Sequence, residues 1–243
     1  MQENIEVKET NAEKDPDFCF KLVMLGNSGV GKTSLVKYEI NNTFINENES
    51  TVIFDHYFKN FCIFAKTVRL QIWDLCGQDT YYSSIKNFYR SSTCIIIVFS
   101  LDNLDSFNLV NRWIEDIKGN HNTDQYILVL IGNKSDLVDE RIISKEMIQE
   151  YCKNNEIENY FETSAKTGEN VHEIFQFLVK KLFVRFAMPI IDNNSNESEK
   201  KANINDEINK NKNFVFFENK NDCLKNCFCC NLSFIFFVFF LLF

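Results

Sequence analysis

The chain has 243 residues, 45% of them hydrophobic and 25% charged, which is enough to bury one substantial core with little left over. Its net charge of −8 excludes the clustered Lys and Arg that a nucleic-acid-binding surface needs, so any anionic ligand must be held locally. Residues 1–17 are polar and acidic, show no basic leader before an apolar stretch, and carry Gln2 where N-myristoylation requires glycine. Neither a secretory signal nor that lipid is expected, and a cytosolic or cytosol-facing location follows. Five of the nine cysteines, Cys19, Cys62, Cys76, Cys94 and Cys152, are scattered singly through apolar segments in the manner of buried free thiols.

From Phe18 to about Phe186, apolar runs suited to strands alternate with amphipathic stretches suited to helices. The first strand is predicted over 20–25, followed by a glycine-rich turn and a helix from about Lys32. Val68, Leu70 and Ile72 alternate with polar neighbours, whereas 94–99 and 126–131 are continuous apolar runs, as in parallel strands covered on both faces. Helical spacing appears over 105–118, 144–153 and 171–186. This alternation predicts an α/β fold with a mostly parallel central sheet flanked by helices on both faces and ligands at the carboxyl ends of the strands. The expected organisation is a disordered extension over 1–17, a globular domain over 18–186, a flexible polar linker over 187–230 holding a cysteine cluster, and a short apolar tail over 231–243.

Between the first predicted strand and helix lies Gly26-Asn27-Ser28-Gly29-Val30-Gly31-Lys32-Thr33, followed by Ser34, which fits the phosphate-loop pattern in its required context. Its glycines let backbone N–H groups turn toward phosphate oxygens, with the helix N-terminus adding its dipole. Lys32 is placed to reach the β- and γ-phosphates, and the Thr33 hydroxyl to ligate Mg²⁺. This motif specifies a nucleoside triphosphate without specifying the base.

Asn133-Lys134-Ser135-Asp136, directly after the strand predicted over 126–131, resembles the N-K-x-D motif of GTPases. The resemblance implies that the Asp136 carboxylate accepts N1–H and the exocyclic amine of guanine, a pattern adenine cannot match. Glu162-Thr163-Ser164-Ala165-Lys166 is similar to the family's E-x-S-A-K loop, which implies Ser164, Ala165 and Lys166 near the base, the Ala165 N–H meeting guanine O6. Phe44 matches the aromatic that lies against the base. Asp74-Leu75-Cys76-Gly77-Gln78 resembles D-x-x-G-Q, which implies that Asp74 holds Mg²⁺ through water, Gly77 senses the γ-phosphate and Gln78 orients the attacking water. Thr51, 23 residues before Asp74, matches the first-switch threonine that ligates Mg²⁺ in the GTP state.

Leu70-Gln71-Ile72-Trp73-Asp74, Phe88-Tyr89-Arg90 and Asp105-Ser106-Phe107 make the chain most similar to the Rab branch of the Ras superfamily, across 18–186. The resemblance implies a small G-protein domain of the P-loop NTPase class that binds GTP, GDP and Mg²⁺ and hydrolyses GTP slowly without an activating protein. It further implies an exchange factor, an activating protein, GTP-state effectors and a site of action on the cytosolic face of an intracellular membrane in vesicle traffic. A slow-hydrolysing GTP-bound binding module and a Ras- or Rho-like signalling GTPase are the alternatives. The first switch reads Thr51-Val52-Ile53-Phe54-Asp55-His56 where Rab proteins usually have T-I-G-x-D-F, so the effector-facing set implied here is Ile53, His56, Trp73 and Phe88. Cys76 stands where alanine is usual.

Cys223, Cys227, Cys229 and Cys230 are lipidation candidates, the last two forming the pair that Rab proteins geranylgeranylate, yet thirteen residues follow it. The apolar run 232–243 would span about 18 Å as a helix at ~1.5 Å per residue, short of the ~30 Å hydrocarbon core. From Ala187 to Cys230 six lysines face seven acidic residues, so no polybasic patch assists membrane binding. Lipid on the cysteines, the Phe-rich end, or both must supply the attachment.

Overall fold

The structure is a computed structural model that describes residues 6–10, 15–44, 51, 54–77, 91–120 and 125–191. Contacts divide the chain into a larger unit, Phe20–Lys59 with Leu70–Leu182, and a smaller one made of the chain up to Cys19, Asn60–Arg69 and the chain from Phe183 onward.

Seven strands hydrogen-bond in the order β1-β3-β4-β2-β5-β6-β7. They are β1 (Val7–Glu9), β2 (Phe18–Leu25), β3 (Phe54–Ile63), β4 (Lys66–Leu75), β5 (Cys94–Ser100), β6 (Ile127–Asn133) and β7 (Tyr160–Glu162). In the larger unit β2, β5, β6 and β7 are parallel, with Leu25 level with Ile97, Ser100 level with Asn133 and Gly132 level with Glu162. All seven residues of β5 are buried, the result of a continuous apolar run covered on both faces. The shared register brings the turns after β2, β5, β6 and β7 to one end of the sheet. That end is where an open parallel sheet binds ligands.

Among the described residues of the larger unit there are five α-helices: α1 (Lys32–Asn41), α2 (Leu104–Asn108), α3 (Val110–Asn120), α4 (Lys145–Asn155) and α5 (Val171–Leu182). Asn103 caps α2 by accepting the Ser106 N–H, and Ser144 caps α4 by accepting the Met147 N–H, each through its side-chain oxygen. α5 buries Val171, Ile174, Phe175, Leu178, Val179 and Leu182, a stripe at helical spacing that faces the core. The single helix expected over 105–118 is interrupted at Leu109, whose N–H is shared between the carbonyls of Asp105 and Phe107.

The smaller unit differs most from expectation. Within the extension expected to be disordered, Val7, Lys8 and Glu9 pair antiparallel with Ile63, Cys62 and Phe61 of β3. The physical reason is an edge strand whose N–H and C=O groups need partners, together with burial of Val7. β3 and β4 join through Phe64 and Ala65, both left-handed at φ 49° and 58°, as a two-residue hairpin turn requires. The Phe64 ring packs 5.9 Å from Phe183, whose opposite neighbour is Phe18 at 5.7 Å. The helical chain does not stop at Phe186: it passes through a π-helical turn, Phe183–Ala187, in which Phe183, Phe186 and Ala187 are buried, and continues to Ile191.

One buried ion pair ties α1 to β3 inside the larger unit. Glu39 is 1% exposed, and the Lys59 ammonium lies 2.9 Å from its carboxylate, with His172 of α5 3.3 Å away on the other oxygen. Burial pushes the Glu39 carboxyl up, and Lys59 and then His172 oppose that shift. Lys59→Met should therefore destabilise the fold by about 3–5 kcal/mol, because it strands a buried carboxylate, and Glu39→Gln in the same chain should recover most of the loss. Urea denaturation of the two variants checks this; equal midpoints for native and Lys59→Met would contradict it.

Candidate functional site

The phosphate-loop sequence forms a turn between β2 and α1. Gly31 sits at φ 95°, and a Cβ there would lie 2.2 Å from Asn133 Nδ2, so both the backbone and the space require glycine. Lys32 is buried, and its ammonium donates to the carbonyls of Gly26 and Asn27, each at 2.9 Å. Burial lowers its pKa to about 8, with Asp74 opposing the shift. Ser34 lies half-buried in the first turn of α1.

The switch residues within the described chain converge on this loop. The Thr33 hydroxyl donates to Asp74 Oδ2 and lies 2.9 Å from the Thr51 hydroxyl, which also reaches Asp74 Oδ2 at 3.4 Å. Asp74 is fully buried, its other oxygen Oδ1 has no hydrogen-bond partner among the described residues, and burial raises its pKa against the pull of Thr33 and Lys32. Two hydroxyls and a buried carboxylate with a spare oxygen form a hard-oxygen set of the kind Mg²⁺ takes, so the residues fit that cation. A Cβ on Gly77 would lie 2.3 Å from the Asn27 carbonyl carbon and the Ser28 nitrogen, which brings the second-switch backbone against the phosphate loop.

At the base end, Asn133 is the junction. Its Nδ2 donates to Val30 O at 2.8 Å, while Oδ1 accepts from the Thr163 hydroxyl at 3.0 Å and the Ala165 N–H at 3.2 Å. The phosphate loop, the N-K-S-D turn and the E-T-S-A-K loop are thus joined through one buried amide. Ser164 donates to Asp136 Oδ1, and Lys166 lies 3.9 Å from Asp136 Oδ2. Lys134, left-handed at φ 67°, sends its ammonium to Asp102, 3.2 Å away. Phe44, just past α1, is 40% exposed.

Of the effector-facing set, His56 stacks on Trp73 with centroids 4.2 Å apart, and Phe58 and Phe54 extend the aromatic row at 4.3 Å from His56 and 5.2 Å from Trp73. Trp73 is only 3% exposed, so its ring serves as the floor of this row. Burial, reinforced by Lys21, lowers the His56 pKa to about 4, which keeps the imidazole neutral at physiological pH. Gln78, Ile53, Phe88 and all four tail cysteines, Cys223, Cys227, Cys229 and Cys230, lie outside the described residues.

Sequence reading missed three site residues. Thr163 lay within a quoted motif, and its burial beside Asn133 assigns it a role. Asp102 and Arg141 carried no motif signal. Arg141 forms a two-pronged pair with Glu162 at 2.8 and 2.7 Å, bracing the segment after N-K-S-D against the start of E-T-S-A-K.

A phosphate loop on β2, a base-reading turn on β6 and an oxygen cluster between them define a P-loop nucleotide-binding domain. The Ras family sequence model matches residues 21–184, and the chain is 33% identical over 189 residues to the GTP-binding protein YPT1 of Saccharomyces cerevisiae, covering 78% of this chain and 91% of the yeast protein. The chain belongs to the Ras family and is a Rab-like small GTPase.

Arg141 holds the Glu162 carboxyl below the usual glutamate range. A depressed carboxylate pKa stabilises the fold above the ordinary value of about 4.3 and loses that contribution as pH falls through the folded value. Arg141→Leu should therefore lower the urea midpoint at pH 7, and the gap from native should close as pH falls below about 4. A gap independent of pH would show that the pair acts only through packing.

Proposed function

We propose that the chain is a Mg²⁺-dependent GTP/GDP switch of the Rab type that recruits effectors to an intracellular membrane in its GTP state. The observation that carries this reading is the Asn133 junction, which ties a guanine-type acceptor, Asp136, to a phosphate loop. The yeast relative is named a GTP-binding protein, which supports the nucleotide class. In this reading the Asp136 carboxylate accepts the guanine N–H donors, the Ala165 N–H meets O6, and the Lys134 and Lys166 stems flank the ring. Backbone N–H groups from Asn27 to Thr33 and the Lys32 ammonium bind the phosphates. Thr33, Thr51 and Asp74 would hold Mg²⁺, which supplies charge neutralisation on the β- and γ-phosphate oxygens. Thr51 and Gly77 would report the γ-phosphate to the two switch segments, and Gln78 would orient the attacking water. Exchange factor, activating protein and effectors belong to this reading, with the aromatic row at His56 as the face an effector meets.

Asp136→Asn tests the base assignment. Loss of the carboxylate should weaken GTP by several kcal/mol and favour xanthosine nucleotides, whose carbonyl the amide can donate to. Equal affinity of the native protein for ATP and GTP in competition would sink the assignment.

Membrane recruitment rests on the tail. The full-length protein is expected in the membrane fraction, and replacing Cys223, Cys227, Cys229 and Cys230 while deleting residues 231–243 should release it with nucleotide binding retained. A cysteine-free, tailless protein that still pellets with membranes would overturn this part of the reading.

A further inference from the structure

The N-K-S-D and E-T-S-A-K segments each carry a lysine, and each faces a different carboxylate: Lys166 lies 3.9 Å from Asp136, and Lys134 lies 3.2 Å from Asp102. Asp102 belongs to none of the nucleotide motifs. It stands in the turn after β5, which the register places beside the end of β6, and the Leu101 N–H donates to Asn133 O at 3.0 Å. Its carboxylate is fixed from both sides, Oδ1 accepting from the Ser100 hydroxyl and Oδ2 from Lys134. The pair is mostly shielded, with side-chain exposures of 33% for Lys134 and 19% for Asp102.

Lys134 and Asp136 lie two residues apart in one turn. A lysine ammonium on a flexible four-carbon stem can fold onto so close a carboxylate, and there it would compete with purine N–H donors for the same oxygens. Asp136 already accepts one hydroxyl, from Ser164, on Oδ1. A second cation on the carboxylate would leave little acceptor capacity for a base.

We propose that Asp102 is a positioning residue for base selection: it holds the Lys134 ammonium at the β5 end, so that the Asp136 carboxylate stays available to guanine. This rests on Asp136 being the guanine acceptor. The turn after β5 thereby takes part in specificity without touching the nucleotide, with the Lys134 ammonium on Asp102 and its backbone left-handed at φ 67°.

The test uses the full-length protein and displacement of a fluorescent GDP by GDP, IDP or ADP; IDP lacks the exocyclic amine. Asp102→Ala should bind GDP about tenfold more weakly and show a smaller GDP-to-IDP ratio, because the base with two donors loses more. Adding Lys134→Met, which keeps the stem and removes the ammonium, should restore GDP affinity and the ratio toward native. A purely structural role for Asp102 predicts the reverse, since the second substitution would weaken binding further. Asp102→Asn retains the shape of the turn and should fall between native and Asp102→Ala; if the alanine variant does not fold, the asparagine variant carries the same cycle. GDP affinity within twofold of native for the variants, or further loss on adding Lys134→Met, overturns the proposal. Native protein that fails to prefer GDP over ADP overturns the guanine assignment instead.

Discussion

The hydrogen bonds of a single buried amide hold the two halves of the nucleotide site together. Asn133 ends β6, where its backbone is fixed by pairing level with Ser100, and its side chain reaches outward to three residues of two loops. Val30, Thr163 and Ala165 all lie outside the strands, in the segments that follow β2 and β7. Because Asn133 is 1% exposed, water cannot replace a lost partner, and any rearrangement of one loop costs about 1–3 kcal/mol in unsatisfied polar groups. The shapes of the phosphate loop and of the E-T-S-A-K loop are therefore not independent properties of this chain. The glycine at 31 follows from the same constraint, since any side chain there would occupy the place of the amide.

What was legible in the sequence is what nucleotide chemistry forces into local order. The phosphate loop needs glycines, Lys32 and Thr33 at fixed offsets, and the β/α alternation around it follows from continuous apolar runs such as 94–99, so the fold class could be read directly. The pairs that brace the site could not. Lys134 meets Asp102 across 32 residues and Arg141 meets Glu162 across 21, and each depends on strand register that no short pattern encodes. β7 and β1 are three-residue strands, too short for periodicity to appear; Val-Lys-Glu in an acidic segment has the composition of a loop until the β3 edge beside it is known. Trp73 shows the opposite limit. Its place in the motif was read correctly, but a motif carries no information on exposure, and the ring is buried beneath His56 and Phe54.

The aromatic row has a consequence for recognition. Phe54, His56 and Phe58 alternate along β3 and so share one face of the sheet, with Trp73 of β4 beneath them. A phenylalanine at position 56 would offer a partner only apolar surface. His56 offers a ring of similar breadth that is neutral at physiological pH yet still carries a polar nitrogen. Its Nε2 is buried within the row and has no hydrogen-bond partner among the described residues, so the polarity that histidine adds here lies inside the row rather than on its surface.

The distribution of buried polar groups separates what stabilises the chain from what the site requires. The Glu39–Lys59 pair sets opposite charges 2.9 Å apart, with His172 on the other carboxylate oxygen, and its role is to fix α1 against β3. The polar groups around the phosphate loop are of another kind: Lys32 donates to backbone carbonyls, and Asp74 keeps an oxygen buried with no hydrogen-bond partner among the described residues. A carboxylate oxygen in that condition costs a fold several kcal/mol if nothing compensates it, and hydrophobic packing at the same position would be cheaper. Placed beside two threonine hydroxyls, that oxygen completes a set of hard donors that a divalent cation would compensate. The raised pKa of Asp74 and the lowered pKa of Lys32 have the same origin, since both groups are kept from water by the folds of the loop that would enclose the phosphates.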